Sequence, residues 1–107
     1  MREIVFALLL VGCSSDDTKP PTAPSNLTVS NVTGGAHLVW TDNSNNEDEF
    51  VVMRKDAASA FAEVGTVPFD TSQYHDGIVV AGTAYTYMIT AINGGGEASS
   101  NEVQFTP

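Results

Sequence analysis

The chain has 107 residues, enough for one domain and not for two, and 42% of them are hydrophobic, so a packed core is within reach. Its 13 acidic residues against 4 basic ones leave a net charge of -9, which repels phosphate backbones and argues against a nucleic-acid partner. The single cysteine, Cys13, cannot form an internal disulfide, so the fold has to stand on its apolar core.

Met1 to Gly12 carry a positive charge at Arg2, followed by an unbroken apolar run from Ile4 to Val11. That is the layout of a secretory signal, and the run is far shorter than the roughly 20 apolar residues of a transmembrane helix. It ends Leu10-Val11-Gly12-Cys13, which resembles the lipobox of bacterial lipoproteins. The resemblance implies that residues 1–12 are removed and that the thiol of Cys13 carries a diacylglycerol holding the protein to a membrane. Residues 14–23 contain no large apolar side chain and include Pro20 and Pro21, so residues 13–23 are expected to be a lipidated cysteine and a disordered, Pro-stiffened linker. In Gram-negative lipoproteins an Asp directly after the cysteine favours the inner membrane; Ser14 stands there, so the resemblance implies the outer membrane or the cell surface.

From Pro24 to Pro107 the apolar residues recur with period two, as strands require. Leu27 and Val29 alternate with Thr28 and Ser30. Ala36, Leu38 and Trp40 alternate with His37 and Val39, and Phe50 and Val52 with Val51 and Met53. Phe61, Val64 and Val67 form a run broken at Gly65, and Tyr74 sits in another short run. Tyr85, Tyr87, Ile89 and Ala91 alternate with Thr86, Met88 and Thr90, and Val103 and Phe105 close the series. Turn-forming residues separate these runs at 33–35, 42–48, 55–60, 68–72, 81–82 and 93–96. The pattern predicts an all-β chain, a seven-stranded antiparallel β-sandwich over residues 24–107.

The segment Val79-Val80-Ala81-Gly82-Thr83-Ala84-Tyr85-Thr86-Tyr87-Met88-Ile89-Thr90-Ala91-Ile92-Asn93 resembles the E–F corner and F strand of fibronectin type III domains, with Ala81 where the family commonly has proline. Pro24 to Val29, Leu38-Val39-Trp40 and Asn46 to Arg54 resemble the family's first three strands in order. The resemblance implies that Trp40 fills the core and that Tyr85 packs its ring inside while its hydroxyl bonds to backbone near Val79 or Val80. The sequence argues against an antibody-type domain, which needs a cysteine pair and a Trp on the third strand.

Motifs for hydrolysis, zinc binding or phosphate cradling are absent from the sequence. His37 and His75 sit singly on strand-like runs, and no zinc site follows from them. Asp42 to Glu49 is a dense run of oxygen ligands of the kind calcium takes, but it departs from the EF-hand template at Glu47, where Gly is needed, and at Met53. Neither a metal nor a cofactor is therefore assigned, and the side chains of that run are expected to cap local turns. A glycan-processing enzyme would need paired carboxylates across a cleft, and the acids here have no partner set in the sequence.

The expected function is a non-catalytic envelope module, monomeric, that contacts a protein or glycan through two loops. One holds Asp42, Glu47 and Asp48; the other holds Asn93, Gly94 and Gly95. The alternative is a structural spacer with no ligand of its own. The resemblance implies that both loops lie at one end of the sandwich, as a flexible acidic rim.

Overall fold

The computed structural model describes residues 19–107, and Cys13 with the expected signal and the first part of the linker lies outside them. Among the described residues every regular element is a strand: β1 (Ser25–Val32), β2 (Gly35–Thr41), β3 (Glu49–Asp56), β4 (Ala62–Pro68), β5 (Gln73–Asp76), β6 (Tyr85–Asn93), β7 (Gly96–Ser99) and β8 (Val103–Phe105). One sheet has the order β1-β2-β5; the other has the order β4-β3-β6-β7, with β8 also on β6. All pairings are antiparallel.

The expected seven strands are present, the last in two segments. β7 pairs with the Thr90–Asn93 end of β6 and β8 with its Tyr85–Tyr87 end. Ser100 bridges the break: its N–H donates to the Ile89 carbonyl at 2.8 Å, and the Ile89 N–H donates to Ser100 Oγ at 3.0 Å. Asn101, in the same break, crosses to the other sheet, accepting from the Leu27 N–H at 3.0 Å and donating to the Leu27 carbonyl at 3.2 Å. Those two bonds serve β1 where its register with β2 slips between Ser25 and Thr28.

The core lies between the sheets. Leu27, Ala36, Leu38 and Trp40 come from the first sheet, and Phe50, Val52, Tyr85, Tyr87, Ile89 and Ala91 from the second. Period-two alternation put these side chains on one face of each strand, and stacking the two faces removes them from water. Trp40 meets Phe50 edge to face, with centroids 5.7 Å apart and planes at 62°.

Close backbone approach explains two glycines. At Gly35, with φ of +150°, an added Cβ would lie 2.1 Å from the Asp76 carbonyl oxygen. At Gly65 it would meet the Tyr74 hydroxyl, which donates to the Val64 carbonyl at 3.2 Å and so ties β5 to the register slip in β4.

The end of the expected linker is packed. Pro21 is buried, and Lys19 to Ala23 lie along the β2–β3 loop. The cause is side-chain amides: Asn46 and Asn93 both donate to the Lys19 carbonyl, at 3.2 and 2.8 Å, and Asn43 donates to the Ala23 carbonyl at 3.0 Å. Composition showed residues without a large apolar group; it did not show asparagines from two distant loops waiting for their carbonyls.

Candidate functional site

The β2–β3 loop (42–48), the β6–β7 turn and residues 19–23 meet at one end of the sandwich. The loop is held from within by the Asp42 carboxylate, whose Oδ1 accepts the Ser44 N–H at 3.0 Å, and by the Ser44 hydroxyl donating to Asn46 Oδ1 at 2.5 Å. It is held to β6 by the Asp48 N–H donating to the Ile92 carbonyl at 2.8 Å and by Asn93 Nδ2 donating to the Asn46 carbonyl at 3.0 Å. The two loops expected to form a rim therefore touch. Lys19, Thr22, Asp42, Asn43 and Asn46 line an open polar cleft between the loop and the residues before β1.

Two features of the expected rim differ. Gly94 and Gly95 form a tight two-residue turn, with the Gly95 N–H donating to Asn93 Oδ1 at 2.7 Å, where a longer flexible loop was expected. Asp48 is exposed as expected, but Glu47 is only 6% exposed and is not part of any contact rim. Its Oε2 accepts a long bond from the Asp70 N–H, at 3.4 Å, and its Oε1 is buried with no hydrogen-bond partner.

The structure also brings together three acids that lie apart in the sequence. Asp42, Glu47 and Asp70 each bring a carboxylate oxygen within 4.8 Å of the others. In the sequence Asp70 is only part of a turn, because nothing there places the β4–β5 connection against the β2–β3 loop. Like charges held at that separation repel one another. None of the three forms an ion pair among the described residues.

At the opposite end stands the tyrosine corner. Tyr85 is 5% exposed, and its hydroxyl accepts the Val80 N–H at 2.8 Å. The Arg54 guanidinium lies 4.9 Å from its ring centroid. Tyr85→Phe should lower stability by roughly 0.5 to 1.5 kcal/mol, because one hydrogen bond goes while the ring stays packed. The urea midpoint should fall with the m-value unchanged, and an unchanged midpoint would mean that the corner bond contributes nothing net.

Beside it lies a polar group that the sequence reading missed. Asp76, 4% exposed, accepts from the Tyr87 hydroxyl at 2.7 Å and from Arg54 Nη1 at 2.8 Å through one oxygen, and from the Ile78 N–H at 3.1 Å through the other. It joins β5 of one sheet to β3 and β6 of the other. Burial pushes the Tyr87 hydroxyl well above the ordinary tyrosine range, and the bond to Asp76 adds to that; the charge of Arg54 works the other way. The available signal was parity: Asp76 is two residues after Tyr74, on the same inward face.

His37 and His75, single in the sequence, are register partners across β2 and β5. No third His, Cys, Asp or Glu joins them in a ligand group among the described residues.

No family model matches the chain, and no curated protein does. Solved structures do. The chain is similar to an Fn3-like protein from Clostridium thermocellum, with a TM-score of 0.66 and 24% identity over 83% of this chain and 96% of that one. It is similar to the FN3 domain of human collagen XX, with a TM-score of 0.67 and 21% identity over 91% of this chain and 100% of that domain. It is also similar to part of the pectate lyase PelI from Erwinia chrysanthemi, solved with tetragalacturonic acid, with a TM-score of 0.70 and 16% identity over 78% of this chain. The match spans 28% of that lyase chain. Together with the two antiparallel sheets, these likenesses show a fibronectin type III fold.

Proposed function

We propose that the chain is a non-catalytic module of the bacterial cell envelope, held to a membrane by a lipid on Cys13, that contacts a protein or glycan through the end of its sandwich. A fibronectin type III fold supports an interaction or spacer domain. The observation that carries the contact reading is the polar cleft between the β2–β3 loop and residues 19–23, with Asn93 at the end of β6 bonded to both of its walls.

The same geometry has a consequence for the partner. Cys13 precedes Lys19 by six residues, a reach of roughly 20 Å at full extension. An anchored module would therefore hold this end close to the membrane, and Asp48 and Glu97 would meet basic or cation-bridged groups there. The far end would point away, with Ile78 and Val80 exposed on it.

The spacer reading has its own support. Lys19 is held at the Asn93 end of β6, whereas Pro107 accepts the Gly82 N–H at 2.9 Å near the Tyr85 end. The described chain thus enters and leaves at opposite ends of the sandwich, as a stalk segment requires. The likeness to about a quarter of a pectate lyase chain fits an accessory domain equally well.

Cell fractionation tests the anchor. Cys13→Ala should release the protein or leave its signal uncut, and globomycin should change the mature mass. An identical mass with and without the drug, and no acyl chain on Cys13, would remove the lipoprotein reading. In the same cells, Asp48→Asn with Glu97→Gln should weaken retention of envelope partners several-fold at low salt and flatten its salt dependence. Unchanged retention would leave the spacer as the better reading.

A further inference from the structure

We propose that Asp42, Glu47 and Asp70 form a calcium site that clips together two of the three connections between the sheets, the β2–β3 loop and the β4–β5 connection. The inference goes beyond the envelope reading and does not rest on it. Asp42 follows β2 of the first sheet and Glu47 precedes β3 of the second, so their loop is the first crossover. Asp70 lies in the β4–β5 connection, which returns the chain from the second sheet to the first. Asp70 lies 23 residues beyond Glu47, and the three carboxylates meet because these two crossovers turn at the same end.

Calcium binds oxygen ligands at about 2.3 to 2.6 Å, so two ligands of one ion lie no more than roughly 5 Å apart. One oxygen from each of the three carboxylates satisfies this, at 4.8 Å or less. The group is independently marked by Glu47, a carboxylate more than nine-tenths buried whose Oε1 has no hydrogen-bond partner and whose Oε2 has only the 3.4 Å bond from Asp70. A buried carboxylate oxygen without a donor is costly unless a cation takes that place. The donor set selects the ion: it has no His or Cys, which disfavours zinc, and its loop-borne carboxylates suit the adaptable shell of calcium better than the strict octahedron of magnesium. The remaining coordination positions fall to water and loop oxygens.

The site differs from an EF-hand, whose ligands come from one continuous loop. Here the ion would tie two loops, so its binding should read out as stability of the whole sandwich.

The test uses the full chain, stripped with EDTA. Calcium titrated by calorimetry should bind with a stoichiometry of about one. At calcium about a hundredfold above its dissociation constant, Tm should rise by roughly 10 to 20 °C. Asp70→Asn keeps the left-handed backbone at residue 70, where φ is +64° and asparagine is well tolerated, and removes one ligand charge. Glu47→Gln keeps the side-chain shape. Both should bind calcium at least about tenfold more weakly, while their melting in EDTA equals or exceeds that of the parent because repulsion among the carboxylates is relieved. If Glu47→Gln fails to fold, Asp70→Asn decides. The proposal is overturned if calcium neither binds nor raises Tm, if magnesium or sodium chloride at matched ionic strength produces the same rise, or if Asp70→Asn responds to calcium as the parent does.

Discussion

Asp76→Ala is expected to destabilise the domain by about 3 to 5 kcal/mol, the range for removing one member of a buried ion pair. The carboxylate receives three hydrogen bonds, from Arg54, Tyr87 and the Ile78 N–H, and its side chain is 5% exposed. Alanine would strand the Arg54 guanidinium, whose side chain is 22% exposed, and leave the Tyr87 hydroxyl without its acceptor. It would also loosen β5, a four-residue edge strand that the network ties to the opposite sheet. Urea unfolding should show a lower midpoint with little change in slope. An effect within about 0.5 kcal/mol, the range of ordinary surface substitutions, would mean that the network is not formed in solution. The network also predicts a pH dependence. Because the folded state holds the Tyr87 proton more tightly, stability should be fully present below about pH 10, where unfolded tyrosine is protonated, and should fall as pH rises above it. Tyr87→Phe should remove that part of the alkaline loss.

Trp40→Ala should cost about as much, roughly 3 to 5 kcal/mol, by a different route. Trp40 is 3% exposed on the inner face of β2 and packs edge to face on Phe50. Truncation opens a cavity between two sheets that are each held by their own ladders and cannot simply close over it. The indole Nε1 is buried without a hydrogen-bond partner among the described residues. The side chain therefore contributes through volume, not polarity, and Trp40→Phe should retain more stability than Trp40→Ala. If Trp40→Ala and Tyr85→Phe lowered the urea midpoint equally, the cavity argument would fail.

These residues differ in how readable they were. Trp40 and Tyr85 stand in alternating runs whose period by itself names a buried face, and the residues around Tyr85 resemble a known corner. Asp76 sits in a short run that offered one aromatic, Tyr74, as a guide to parity. A single inward carboxylate there is intelligible only beside Arg54 and Tyr87, which lie 22 and 11 residues away. Glu47 was misread for the opposite reason. Its neighbours from Asp42 to Asp48 are all polar, so the stretch reads as solvated from end to end, yet one of them turns inward.

By itself the sequence determined the strand character of the chain, the inward face of most strands, the places of the turns and the resemblance to a fibronectin type III sandwich. Each of these depends on residues within a few positions of one another: side chains alternate along a strand, and Gly, Asn and Asp open turns locally. Only the tertiary structure decided which loops share an end. It set Asp70 beside Asp42 and Glu47, put His37 opposite His75, hung Lys19 on Asn46 and Asn93, and closed Asp76 onto Arg54 and Tyr87. Those meetings follow from strand order and from the crossovers between the sheets. The core's apolar burial drives that arrangement, and burial is non-directional, so no local pattern of polar residues records which of them it will bring together.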